Sequence, residues 1–78
     1  MKTANEYLSA VTGEITCALR ALNAGKIELA AECCQLAKSM LDMLSASGLP
    51  VVEGAAEDVL DAYTTVSGLV IKAQREIV

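Results

Sequence analysis

The side chains of this chain that could do chemistry are three cysteines, Cys17, Cys33 and Cys34, and ten carboxylates. Cys33 and Cys34 are adjacent, and neighbouring side chains on a helix point about 100° apart, which does not suit a disulfide. The chain has no histidine and no Cys-x-x-Cys pair, so the usual zinc and redox motifs are absent. We therefore predict that Cys33 and Cys34 are small buried apolar residues in a reducing compartment, and that the protein uses no metal and no cofactor.

The chain also lacks the side chains that most active sites need. Without histidine, acid–base catalysis would fall to carboxylates, Lys or Tyr, and a Ser or Cys nucleophile would have no imidazole partner. No glycine-rich loop follows a strand, so phosphate-cradling motifs are missing too. We therefore expect that the protein is not an enzyme.

The densest local charge is a group of four acidic residues near the start of the last helical segment: Glu53, Glu57, Asp58 and Asp61. Several of them are like-charged neighbours four residues apart, which is mildly destabilising on a helix. Two interpretations remain open. The group is either a contact patch for a partner's basic surface, or negative charge that complements the positive amino end of a helix.

Three segments position these side chains, and each repeats its apolar residues at alternating intervals of four and three, as in helices that pack on helices. The first stripe is Ala4, Leu8, Val11, Ile15, Ala18 and Leu22. The second is Ile27, Ala30, Cys34, Ala37, Leu41 and Leu44. The third is Val52, Ala56, Val59, Tyr63, Val66, Val70, Ala73 and Ile77. No segment alternates with period two for the length of a strand, so the predicted fold class is all-α.

Helix-ending residues divide the three segments. Gly25 suits a left-handed helix cap and the next segment begins at once, which forces an antiparallel hairpin. Gly48 and Pro50 end the second helix. We predict that residues 1–78 form one domain, an up-down-up antiparallel bundle of three helices. The predicted helices cover about residues 3–24, 26–46 and 51–77. Poor helix formers in the third segment predict a kink or a break near residues 64–68.

The middle helix carries a second apolar stripe beside the first: Leu29, Cys33, Leu36, Met40 and Met43. The two stripes together cover an arc of about 200° on a helical wheel, so this helix needs neighbours on two sides. A three-helix bundle supplies both, and we interpret the methionines as flexible core residues. Leu36 and Met43 lie at the edge of the arc, where they could instead contact a second subunit.

A stripe of small residues lies on the first helix, about 145° from its core stripe: Ala10, Gly13, Cys17, Ala21 and Ala24. We expect this face to be exposed in a monomer. Small residues would let another helix approach closely, although Gly13 costs about 1 kcal/mol of helix stability relative to alanine. The stripe is a candidate docking face for a second copy or a partner helix. The alternative is a surface of small residues with no role.

The chain is acidic, with a formal net charge of −4 and a pI near 4.5. Its six Lys and Arg residues are scattered, whereas binding to nucleic acid needs them clustered. No stretch approaches the roughly 20 uncharged apolar residues that span a bilayer, and Glu6 and Glu14 interrupt any signal-peptide-like run. We therefore expect no nucleic-acid binding, no membrane insertion and a cytoplasmic location.

A chain of 78 residues without Phe or Trp can build only a small core, and association with another chain would add burial. We therefore expect a homodimer. The favoured function is a non-catalytic inhibitor, adaptor or chaperone-like regulator that binds another protein through a helical face, of a kind that phages and secretion systems often encode. The alternatives are a structural subunit of a larger helical assembly and a carrier of a small apolar ligand.

Overall fold

The computed structural model describes residues 3–51 and 54–77. These residues form three α-helices, α1 (Ala4–Asn23), α2 (Ile27–Ser47) and α3 (Ala55–Ile77), and the described residues include no strand. Each helix packs against the other two. The predicted all-α class and the three-helix bundle are confirmed.

α1 begins at a capping residue and ends in a glycine turn. The Thr3 hydroxyl accepts a hydrogen bond from the Glu6 backbone N–H at 3.2 Å, which satisfies one of the free donors of the first turn. At the other end Gly25 has a φ of +77°, and the Lys26 N–H donates to the Ala21 carbonyl at 2.8 Å. This is a Schellman motif, so the predicted capping role of Gly25 is confirmed.

The link between α2 and α3 is longer than predicted. Gly48 ends α2 in the left-handed conformation, as expected. α3 then begins at Ala55 rather than at residue 51, because Gly54 has a φ of +93°, which no right-handed helix can include. The Gly54 carbonyl accepts the first helical hydrogen bond, from the Asp58 N–H at 3.0 Å.

α3 runs without interruption through residues 64–68. The predicted break is therefore wrong, and a kink there stays a prediction. Local propensity is overridden here by packing, since Val66 and Val70 are buried in the core. The Thr64 hydroxyl also donates to the Leu60 carbonyl at 2.9 Å, so this polar side chain is satisfied within the helix.

Two core clusters establish the up-down-up order. One joins the start of α1, the end of α2 and the start of α3 through Ala4, Leu8, Leu44, Ala56 and Val59. The other joins the later part of α1, the earlier part of α2 and the later part of α3 through Val11, Ile15, Ala18, Ala21, Ala30, Cys33, Cys34, Ala37, Val66 and Val70. Because α1 and α3 share one direction and α2 runs against them, the bundle is antiparallel.

The α1–α2 hairpin is the most extensively packed part of the bundle, and α3 contacts each of the other helices less. Among its described residues, α3 places only Val66 and Val70 fully in the core. The core is thin: Val11 is its largest side chain with essentially no exposure. The contact between α1 and α2 therefore positions the residues of any site on the surface of these two helices.

Candidate interaction surface

Three large apolar side chains on α2 are half exposed: Leu29 at 46 %, Leu36 at 50 % and Met43 at 56 %. They are seven residues apart, so they lie on one line along the helix. We call them the α2 row. The interpretation that the bundle covers both apolar stripes of α2 is wrong for Leu29. Leu36 and Met43 lie open at the edge of the arc, as the alternative interpretation allows, whereas the same stripe's Cys33 is buried and Met40 is half buried.

The direction of the core explains why the α2 row is left open. The buried residues Ala30, Ala37 and Leu44 centre about 100° round the helix from Leu36. Both neighbouring helices pack toward that side, since residues of α1 and α3 share clusters with these three. Two neighbours on one side cannot reach the far edge of a 200° apolar arc.

The α2 row borders α1 at Cys33, which lies between the row and the first helix. Burial raises the pKa of the Cys33 thiol, and the neighbouring Glu14 carboxylate and Cys17 thiol raise it further. Cys33 also shares a buried cluster with Ala18 and Ala21, so the side of α1 that carries Glu14 and Cys17 lies against the Cys33 side of α2. The α2 row and the exposed part of the small-residue stripe of α1 therefore lie on either side of this helix contact, and we call the surface between them the hairpin groove.

The small-residue stripe is only partly open. Gly13, Cys17 and Ala24 are exposed, Ala10 is half buried, and Ala21 is 4 % exposed. The expectation that the whole stripe is exposed is wrong for Ala21, because the turn at Gly25 folds α2 back over this part of α1. Whether the remaining residues bind a partner stays a prediction.

Gly13 is not needed for packing within the chain. A Cβ atom added at this position would meet no atom within 4 Å. The contact between α1 and α2 therefore does not depend on this glycine, and its surroundings are open.

Charged residues line the hairpin groove unevenly. On its α2 edge, Glu28 and Glu32 are exposed. Measured round the helix axis, they lie about 80° and 40° from Leu36, on the side away from the core. On its α1 side, Glu14 is half buried and Arg20 is exposed beyond Gly13. At the turn, Lys26 is exposed beside Glu28 and Leu29. The groove therefore carries more negative than positive charge.

The predicted acidic patch lies on α3 and not on the hairpin. Glu57, Asp58 and Asp61 are exposed there, and Glu53 lies outside the described residues. Glu57 and Asp58 occupy the first turn of α3, where negative charge complements the helix dipole. That position fits the helix-stabilising interpretation, and a role in binding stays a prediction.

The three cysteines differ in their burial. Cys33 and Cys34 are buried as predicted, and Cys17 is exposed. In the described part of the chain, no group of three cysteine or carboxylate side chains is arranged to hold a metal ion. Within residues 3–51 and 54–77, none of the helices has the length and hydropathy to cross a membrane.

The surface chemistry of the hairpin groove is thus apolar contact bordered by carboxylates, which suits recognition of another helix. Comparison with known proteins adds no further guide, because no family model, no curated protein and no solved structure matches this chain.

Proposed function

We propose that this protein is a small acidic regulator without catalytic activity, which binds another protein through the hairpin groove. The observation that carries the proposal is the α2 row of Leu29, Leu36 and Met43, half exposed at heptad spacing. This is the pattern by which one helix docks on another. Exposed apolar side chains that line up on one helix face are candidates for an interaction site.

The total surface area supports the same proposal. The chain exposes 5316 Å² for a mass of 8.1 kDa. A folded monomer of this mass exposes roughly 4,500 Å² according to the usual scaling. The excess of about 800 Å² belongs to the whole elongated surface, and the half-exposed apolar side chains, among them the α2 row, are part of it.

We also propose a cytoplasmic setting. All three cysteines are free, and a reducing compartment would keep them so. The homodimer predicted from the sequence is one way to cover the α2 row, and it stays a prediction.

Photo-cross-linking tests the proposal directly. A photoreactive phenylalanine analogue would replace Leu36 in one variant and Leu60 in a matched control, because Leu60 is 51 % exposed but lies on α3. We expect covalent adducts from position 36 in the cells that produce the protein, and few from position 60. Equal labelling at both positions, or none at position 36, would contradict a binding role for the α2 row.

A further inference from the structure

We infer that the hairpin groove takes a basic amphipathic helix of another protein. This inference rests on the proposed function and specifies the chemistry of the partner. It combines the apolar α2 row, the small side chains facing it from α1, and the carboxylates at the edges.

The dimensions of the groove fit a helix. From Leu29 to Met43 the α2 row covers fifteen residues, and their fourteen steps of about 1.5 Å make it roughly 21 Å long. On the α1 side the exposed residues Gly13, Cys17 and Ala24 are small, so an occupant can approach the hairpin closely there. A helix of about 15 to 20 residues with apolar side chains at heptad spacing matches this length.

The charged residues beside the groove determine which charge a partner helix should carry. Glu28, Glu32 and Glu14 border the groove. Two cations lie near it: Arg20 on the α1 side and Lys26 at the turn, beside Glu28 and Leu29. Lys38, the cation within α2, points about 160° away from Leu36. Lys and Arg residues flanking the apolar stripe of an occupant would therefore meet carboxylates along the α2 edge, whereas acidic flanks would be repelled.

A second copy fits the same surface less well. If two α2 helices paired antiparallel about Leu36, the edges that carry Glu28 and Glu32 would lie along one seam. Four carboxylates would then line this seam with no cation from α2 among them, because Lys38 faces the other way. Self-association through the α2 row therefore gains apolar contact but no charge pairing from within α2.

Two designed peptides test the inference. Both are 18-residue helices with leucine at the heptad positions, one flanked by lysine and the other by glutamate, with helicity matched by circular dichroism. Binding to the full chain is measured by fluorescence anisotropy at 50 and 300 mM NaCl. We expect the lysine peptide to bind about three- to tenfold more tightly than the glutamate peptide at low salt, and the difference to shrink at high salt.

Matched variants of the protein locate the effect. Glu28→Gln with Glu32→Gln should remove most of the preference for the lysine peptide. Asp58→Asn with Asp61→Asn removes the same charge from α3 and should leave the preference unchanged. If the two double variants behave alike, the edge carboxylates do not select the partner and the inference is overturned.

The remaining outcomes separate this inference from the proposed function. Equal binding of both peptides, abolished by Leu36→Glu, would overturn the charge preference and leave the groove as a helix-binding site. Binding of neither peptide, with adducts from position 36 only to a second copy of this chain, would overturn the inference in favour of self-association. Binding of neither peptide and no adducts at position 36 would overturn both.

Discussion

Cys17, Cys33 and Cys34 share one chemistry but differ in their access to solvent. Cys33 and Cys34 are each 7 % exposed, and Cys17 lies open on α1. Burial raises the pKa of both buried thiols, which also lowers their fraction of reactive thiolate. At the scale of single residues, the fold thus separates one accessible thiol from two protected ones.

This separation predicts the pattern of alkylation. In the native protein at pH 7.5, iodoacetamide should modify Cys17 at least tenfold faster than Cys33 or Cys34, because the buried thiols react only after local opening. In urea all three should react at similar rates. Mass spectrometry of timed samples measures the three rates, and native rates that are equal would contradict the packing of α1 against α2.

The buried thiols also predict a dependence of stability on pH. Their pKa values are higher in the folded state than in the unfolded state, so folding favours the neutral thiol. Their contribution is complete below the ordinary cysteine pKa of about 8.5 and is lost as pH rises through the raised values. We therefore expect the free energy of unfolding to fall from about pH 8.5 upward.

Urea unfolding at a series of pH values, under reducing conditions, measures this effect. A variant with Cys33→Ala and Cys34→Ala is the control, because it keeps Cys17 and the other titrating groups. Its free energy of unfolding should fall less steeply above about pH 8.5. Parallel curves for the two proteins would show that the buried thiols do not contribute.

At the scale of the helices, glycines act in opposite ways depending on backbone conformation. Gly13 and Gly68 lie inside α1 and α3, their φ angles are negative, and an added Cβ at either would meet no atom within 4 Å. Gly54 has a φ of +93° and holds the chain in the turn before α3. The first two therefore weaken their helices, and the third is required by its turn.

Alanine substitutions should reveal this difference. Gly13→Ala and Gly68→Ala should each stabilise the protein by roughly 0.5 to 1 kcal/mol, because alanine is the better helix former and has room. Gly54→Ala should destabilise it by about 1 kcal/mol or more, because alanine disfavours a positive φ. Urea midpoints at constant slope give these values, and a loss of stability in Gly13→Ala would show that α1 needs close contact at that position.

At the scale of the whole molecule, the bundle is long and narrow, with extents of 41 × 21 × 18 Å. Its helices are joined by a thin core of small side chains, while large apolar residues such as Leu36 and Met43 remain at the surface. The apolar side chains that give the chain its mean hydropathy of +0.44 therefore lie partly outside the core. The isolated chain thus exposes apolar area that a partner would cover.

Absolute mass measured by light scattering, over a hundredfold range of concentration under reducing conditions, tests how this area is covered. If the groove is kept for a basic partner, we expect the purified chain to be mainly monomeric at micromolar concentration. A stable dimer that Leu36→Glu dissociates, with Leu60→Glu as the control, would favour the homodimer predicted from the sequence. Growth beyond a closed dimer would favour the alternative of a structural assembly.

The helical class, the hairpin and the helix ends at Gly25 and Gly48 follow from the sequence, because they depend on local chemistry. The spacing of Val11 and Ile15 defines a helix face, and Gly25 supplies the left-handed residue that ends α1. The start of α3 also depends on local chemistry. Gly54, close after Pro50, is the residue type that a turn requires, and the predicted start at residue 51 does not take this glycine into account.

The tertiary structure alone decided which apolar faces are covered. Periodicity gives the angle of each side chain round its helix but not the number of neighbours that reach it. Ala21, which the sequence predicts to be exposed, is buried because α2 folds back over it. Leu36, for which the sequence leaves both a covered and an open position possible, lies open. The described part of the chain forms three helices, and both neighbours of α2 pack on one side of it. The candidate site is therefore the part of the apolar arc of α2 that these neighbours do not cover.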